Sequence, residues 1–499
     1  MEAVWRSSPT VRTSLIFLAV ALACLAVADI AITTVHPWTE MGRLVAGIFT
    51  PNFFATENLG MALVLTVAFA ILGVAIGNFL GFLLALVFHS RVVRVGCAFV
   101  RSVHELFWAL IFLQIFGLSP LTGILAIAIP YAGIIAKVYA EILEEADKRP
   151  LQAVPAGSSR ASVFLFVRLP DVWAHFKNYS MYRLECGLRS SAVLGFVGLP
   201  TLGFYLETAF RQGQYSEVSA LLILFYVIIA SMRVWMKKPL LPVYILISLL
   251  VLPWGAAKID SANIVRFFTQ DIVPHPIRTA ETIDGEALAA LWRWFEHLLV
   301  GQAIPGAIDT LLLTMIALVA SGMLALAFFP LISPLFYGRF GRSAGHVFLV
   351  VVRSTPEYIL AYIFLQLWGP SMLPAIVALA LHNGAIIGHL VGRYTEEMKL
   401  RSDASHGLNL YAYEVTPRLY GQLLAFLFYR WEVILRETAI LGILGIATLG
   451  FYIDSAFADI RPDRALFLIL LTALLNIGVD ALSRAIRARL HLRTTIEQG

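Results

Sequence analysis

Long apolar runs separated by short basic segments dominate the sequence. Residues 14–35, 59–88, 121–139, 307–331 and 466–482 are nearly continuous Leu, Ile, Val, Ala and Phe, and a helix needs about 20 such residues to cross a hydrocarbon core of ~30 Å. Strands of a membrane barrel would alternate apolar and polar residues over about ten positions. These runs do not alternate, so the pattern predicts transmembrane helices. The run 14–35 follows Arg6 and Arg12, as a cleaved signal would, but it is too long for a signal core and no small-x-small site is well placed near Asp29. A second apolar run at 240–257 stands at the corresponding point of the later half. Both are expected to be leading spans.

The pattern occurs twice. Residues 101–117 read RSVHELFWALIFLQIFG and residues 353–369 read RSTPEYILAYIFLQLWG, with nine of seventeen positions identical at an offset of 353 − 101 = 252. Residues 181–210 match 428–457 at an offset of 430 − 183 = 247. A unit of roughly 250 residues is too long for a solenoid repeat, so each copy is expected to be a whole domain, 1–236 and 237–499. Two copies in one chain imply a pseudo-two-fold assembly. With equal span numbers and the same starting side, the axis is expected along the membrane normal.

Composition sharpens the class. Hydrophobic residues make up 59% and charged residues 14%, with a mean hydropathy of +0.80, more apolar surface than a soluble globule can cover. Cys24, Cys97 and Cys186 are scattered without CxxC spacing, which argues against a disulfide framework or a cysteine metal site. Basic residues mark alternate loops: Arg6 and Arg12; Arg91 and Arg94; Lys148, Arg149, Arg160 and Arg168; Arg233, Lys237 and Lys238; Arg339 and Arg342; Arg393, Lys399, Arg401 and Arg418; Arg484, Arg487, Arg489 and Arg493. By the positive-inside rule this gives about six spans per copy and about twelve in all, with both termini cytoplasmic. The net charge of +5 is then topological, and no nucleic-acid partner is expected. Segment 258–305 falls outside the cytoplasm, and its stretch 288–299, with Trp292, Trp294 and Phe295, predicts an interfacial amphipathic helix.

Several charges fall at membrane depth. The apolar part 106–116 is too short to span alone, so its helix is expected to begin earlier and to carry Arg101 and Glu105 one turn apart; Arg353 and Glu357 repeat this within 346–368. Arg183, Glu185 and Arg189, matched by Arg430, Glu432 and Arg436, open another span in each copy. Charges in a bilayer cost several kcal/mol and face a cavity or a partner. Two readings stand: residues that snorkel and lock helices in register, or a pathway for a charged solute. In the second, arginine would meet the solute, since its fork donates two hydrogen bonds while staying protonated. Glu185 and Glu432 would hold Arg189 and Arg436 at rest.

A cytoplasmic element also repeats. Residues 141–170 contain an acidic start with Glu144, Glu145 and Asp147, small residues at Ala153 and Gly157, and a Leu-Pro stop at Pro170; 396–417 contain Glu396, Glu397, Asp403, Ala404, Gly407 and Pro417. A short helix outside the membrane, turned at glycine so that two helices pack closely, can dock on another protein.

An acidic-Ala segment, a Gly and then Leu-Pro thirteen residues on is similar to the coupling loop of ABC importer permeases. RSxxELxWALIFxxxxG followed by YRxExxxRxxxxLGxxG resembles the phosphonate-transporter permeases in particular, and the resemblance covers both copies outside 258–305. It implies an all-α polytopic protein of two homologous six-helix permease domains in a bacterial inner membrane. It further implies two copies of a separate cytoplasmic ATPase that bind ATP and Mg, a periplasmic or lipid-anchored binding protein, and no cofactor in this chain. The implied cargo is phosphonate, phosphite, hypophosphite or a phosphate ester. Two departures stand out: the second coupling loop is about three residues shorter, and the family's Gly-Ala-Gly-Gly-Ile-Gly run is replaced by Leu-Pro-Thr-Leu-Gly-Phe from Leu199 and Ile-Ala-Thr-Leu-Gly-Phe from Ile446.

The residues agree independently. No GxxxxGK[ST] phosphate loop occurs, and neither a metal-ligand spacing nor a nucleophile-base arrangement is visible within the spans, so a translocation subunit rather than an enzyme is expected. A proton-coupled secondary transporter, using the same intramembrane Glu and Arg, is the competing class. A permease for another solute such as an amino acid is the nearer alternative, and a membrane-embedded lipid-phosphate enzyme lacks a catalytic constellation.

Overall fold

The computed structural model describes residues 8–492 except Lys148, Ala156, residues 256–259 and Ile283, and without the side chains of Arg233 and Lys238. Of the charges used for topology, Arg6, Lys148 and Arg493, with those two side chains, lie outside the described residues. Among the described residues there is no strand. The principal helices are α1 (Pro9–Val27), α2 (Pro37–Phe49), α3 (Leu59–Leu86), α4 (Arg91–Ser102), α5 (Glu105–Phe116), α6 (Pro120–Glu145), α7 (Leu169–Val193), α8 (Leu202–Arg211), α9 (Tyr215–Trp235), α10 (Leu241–Val251), α11 (Gly285–Leu298), α12 (Ile304–Phe328), α13 (Arg339–Ser354), α14 (Glu357–Trp368), α15 (Met372–Tyr394), α16 (Thr416–Ile443), α17 (Leu449–Ala458) and α18 (Pro462–Arg489).

Among the described residues, seven helical stretches are long and apolar enough to cross a membrane, and up to ten if each of three bent pairs counts as one span. Two expected spans remain. One is α10, only 11 residues long; the other is α16, whose Arg430, Glu432, Arg436 and Glu437 dilute its apolar character. The predicted interfacial helix is not separate: α11 continues through a π-turn at Leu299–Ala303 into α12.

The chain forms two compact units, residues 44–272 and residues 1–43 with 273–499. In the first, α3 packs along α6, with Gly73, Gly77 and Gly81 facing Ile127, Tyr131 and Ile135. In the second, α12 packs along α15, and the glycines stand on the other helix: Gly384, Gly388 and Gly392 face Leu324, Phe328 and Ile332. Small residues four apart let two backbones approach, which replaces the hydrophobic driving force absent in lipid. The leading helices are exchanged between the copies. α1 lies in the second unit, where Phe17 packs edge-on against Phe428 and Trp431 at 5.1 and 5.3 Å and Tyr420 donates to Ser14 at 2.7 Å. α10 lies in the first unit beside α3.

Leu169-Pro170 in copy one and Thr416-Pro417 in copy two do not stop the helix ahead of them. In copy one a π-turn at Phe164–Arg168 runs directly into α7, with Pro170 in its first turn, and in copy two a π-turn at Tyr411–Val415 runs into α16, with Pro417 in its first turn. Proline lacks an N–H and crowds the carbonyl four residues back; widening the preceding turn relieves both, so the helix passes through.

Candidate functional site

Both polar constellations sit where a span breaks. Between α4 and α5 the chain bends by 93°, and between α13 and α14 by 92°. Contrary to the expectation from their spacing, Arg101 and Glu105 therefore lie on two helices rather than one turn apart on one, and so do Arg353 and Glu357. Each arginine closes one helix and each glutamate opens the next. This suits the macrodipole, which favours cations at C-termini and anions at N-termini. The cause is local: His104 Nδ1 caps α5 by accepting from Leu106 N at 3.1 Å, whereas Pro356 forces Thr355 into an extended conformation ahead of α14.

In copy one Ser190 Oγ donates to Glu105 at 2.7 Å and lies 3.1 Å from the Tyr131 hydroxyl, linking α5, α6 and α7. His104 stands 4.0 Å from the same carboxylate. Arg183 Nε donates to the Tyr179 hydroxyl at 2.7 Å, and its guanidinium lies 5.8, 5.1 and 5.6 Å from the rings of Tyr131, Tyr179 and Tyr182. The expected hold of Glu185 on Arg189 is absent: Glu185 makes no hydrogen bond or ion pair among the described residues, and one contact of Arg189 is to Cys186 Sγ at 3.5 Å.

In copy two Arg430 Nε donates to Asn383 Oδ1 at 2.7 Å and Nη2 to Glu437 Oε1 at 3.3 Å, while Asn383 Nδ2 donates to Glu437 Oε2 at 3.0 Å. His382 reaches the carbonyl of Thr355 with Nδ1 at 2.9 Å and stands 4.0 Å from Glu357 with Nε2. The ligand atoms of Glu357, His382 and Glu437 all lie within 4.8 Å of one another, a donor set a divalent cation could use. Arg430, already against Glu437, opposes a second cation there by like charge.

The tertiary structure thus adds His104, Tyr131, Tyr179, Ser190, His382, Asn383 and Glu437 to the sequence-predicted set. One signal was available: His382 and Asn383, 2% and 0% exposed, interrupt the apolar run of α15. Histidine is kept beside the glutamate in both copies, from different helices. Position 104 is His and its counterpart 356 is Pro; position 130 is Pro and its counterpart 382 is His.

Much of segments 141–170 and 396–417 is exposed. Asp147 is bound by Arg149 through its backbone N at 2.9 Å and its Nε at 2.7 Å, which holds the carboxyl below its usual range. Glu144, Glu145, Ala153, Glu396, Glu397 and Asp403 are exposed and Ala404 is half-buried. Gly157 and Gly407 lie at turns with φ of +97° and +65°, yet among the described residues nothing approaches within 4 Å of a Cβ at either. Left-handed backbone, not close packing, requires glycine there. Four residues before each proline an aromatic ring projects: Phe166 is 79% exposed and Tyr413 64%.

The chain is 26% identical over 483 residues to the phosphate-import permease protein PhnE of Mycolicibacterium smegmatis, covering 90% of this chain and 88% of that one. It is 31% identical over 223 residues to the phosphite transport system permease protein PtxC of Stutzerimonas stutzeri, covering 42% of this chain and 81% of that one. No family model and no solved structure matches.

Proposed function

The chain belongs to the phosphonate, phosphite and phosphate permeases of ABC importers, as a fused tandem pair, and from that membership we propose how it works. It is a multi-pass inner-membrane protein and the translocation component of an importer for a phosphorus oxyanion. The carrying observation is similarity to one such permease across 90% of the chain, with both repeats present.

Each repeat, 1–236 and 237–499, supplies one permease domain apart from its exchanged leading helix, with both termini cytoplasmic. Segments 141–170 and 396–417 receive two copies of a separate ATPase, which binds ATP and Mg. Supporting this are the exposed Phe166 and Tyr413, set at the same place in the two segments as anchors for a partner groove. A periplasmic or lipid-anchored binding protein delivers the solute from the other side. The candidates for the path are Arg101, Glu105, Arg183, Glu185 and Arg189 in the first repeat and Arg353, Glu357, Arg430, Glu432 and Arg436 in the second. Arginine meets a tetrahedral oxyanion through its planar fork.

Reconstitution with the ATPase and binding protein tests the reading. Vesicles loaded with ATP should accumulate phosphite, methylphosphonate or phosphate and should fail to do so without ATP. Uptake driven by a proton gradient in the absence of ATP would overturn it, as would transport of amino acids alone.

A further inference from the structure

The repeats treat one equivalent arginine in opposite ways. Arg183 and Arg430 correspond at the offset of 247, as do Ser190 and Glu437. Tyr131 and Asn383 correspond at the offset of 252. In copy two the guanidinium of Arg430 meets a carboxylate and an amide oxygen, so its charge is spent inside the protein. In copy one the serine and tyrosine that replace those groups carry no charge. Among the described residues Arg183 makes no ion pair; of its five N–H groups only Nε is bonded, and the residue is half-buried.

Three tyrosine rings stand in for the missing carboxylate. An aromatic face attracts a cation through its quadrupole, which makes an arginine tolerable in a span without cancelling its net charge. A carboxylate cancels it. An incoming anion is therefore attracted by Arg183 and meets in Arg430 a compensated pair. Tyr182 is the most exposed of the three, at 51%.

We infer that Arg183, in its cage of Tyr131, Tyr179 and Tyr182, is the group that contacts the oxyanion in transit, and that Arg430 with Glu437 and Asn383 is a structural lock. The inference rests on the phosphorus-oxyanion reading above and deepens it. One cation without a fixed counter-charge suits passage, because a site must attract an ion and still release it.

The test is uptake per assembled transporter, with the full chain, its ATPase and its binding protein in ATP-loaded vesicles. Phosphite, methylphosphonate, phosphate, sulfate and glycine are offered in turn. Because the binding protein captures the solute first, Arg183→Gln should lower the maximal rate at least tenfold and leave KM unchanged. Arg183→Lys, which keeps the charge and loses the fork, should fall between. Lys137→Gln on α6, a cation outside the cage, should transport like wild type. The loss, taken as a ratio to wild type, should be greater above the second ionisation of phosphite than below it; a role in packing alone would not follow substrate charge. Rates within twofold of wild type for both Arg183 variants would overturn the inference. If Arg183→Gln does not assemble, Arg183→Lys decides by the same criterion. If wild type carries sulfate but no phosphorus compound and Arg183→Gln impairs that uptake, the phosphorus reading falls and the role of Arg183 stands. If only glycine is carried, both fall.

Discussion

Replacing Gly203 by Ala should damage the first repeat more than its single added methyl suggests. Gly203 lies at the start of α8, where the chain turns by 55° after the span through α7, and an ideal Cβ there would sit 1.7 Å from the carbonyl oxygen of Ala192. That neighbour is backbone and cannot rotate aside. Restoring ordinary contact at 3.4 Å means withdrawing α8 by about 3.4 − 1.7 = 1.7 Å. The withdrawal breaks the bond from Leu202 N to Thr66 Oγ1, now 2.8 Å. Overpacking costs about 1–3 kcal/mol and a lost hydrogen bond about 1 kcal/mol more, so the change should destabilise the unit by about 2–4 kcal/mol. Two glycines calibrate the result. Gly198→Ala tests left-handed backbone alone, at φ +88°, and should cost about 1–2 kcal/mol. Gly96→Ala, with nothing within 4 Å, should be neutral or gain about 0.5–1 kcal/mol in helix propensity. Unfolding of the purified chain by sodium dodecyl sulfate, followed by tryptophan fluorescence, ranks the three. If Gly203→Ala unfolds together with Gly96→Ala, the backbone contact does not constrain the turn and the reasoning is wrong. Gly450→Ala, 2.2 Å from the carbonyl of Ala439, should show the same effect in the second repeat.

Phe166→Ala and Tyr413→Ala should each weaken capture of the ATPase. Burying most of one such ring is worth about 2 kcal/mol, or roughly 25-fold in affinity, and unchanged co-purification in both would remove the docking role. Glu437→Gln should destabilise the second unit by about 3 kcal/mol, because Arg430 keeps a half-buried charge without its carboxylate; Glu185→Gln, which removes no contact, should stay within about 0.5 kcal/mol, both read by the same unfolding titration. The Asp147–Arg149 contact is pH-insensitive in the working range. A carboxyl whose value is depressed in the fold keeps its contribution above the ordinary value and loses it as pH falls through the depressed one, so Asp147→Asn should alter ATPase capture equally at about pH 6 and pH 8. An effect that appears only at the lower pH would contradict this.

Spans, duplication and basic loops were legible in the sequence, because a bilayer demands about 20 apolar residues per crossing and asks little else of most positions. The paired motifs around Arg101 and Arg183 were legible as well, since charge in an apolar run costs too much to be incidental. Their partners were not. Helical spacing pairs Glu185 with Arg189, yet Glu185 stands alone while Arg183 turns to three rings drawn from α6 and α7. The 93° break between Arg101 and Glu105 depends on a histidine cap that no periodicity reveals, and the continuity past Pro170 and Pro417 depends on π-turns, which relieve a clash between residues of adjacent turns. The exchange of α1 and α10 leaves no mark in either helix, because the apolar residues of both are spread around the axis and single out no neighbour. Along the chain, residue type states only what must be hidden from water or lipid. Which cation keeps its charge, and which is cancelled, follows from residues 50 or more positions apart meeting in space: Tyr131 with Arg183, and Glu437 with Asn383.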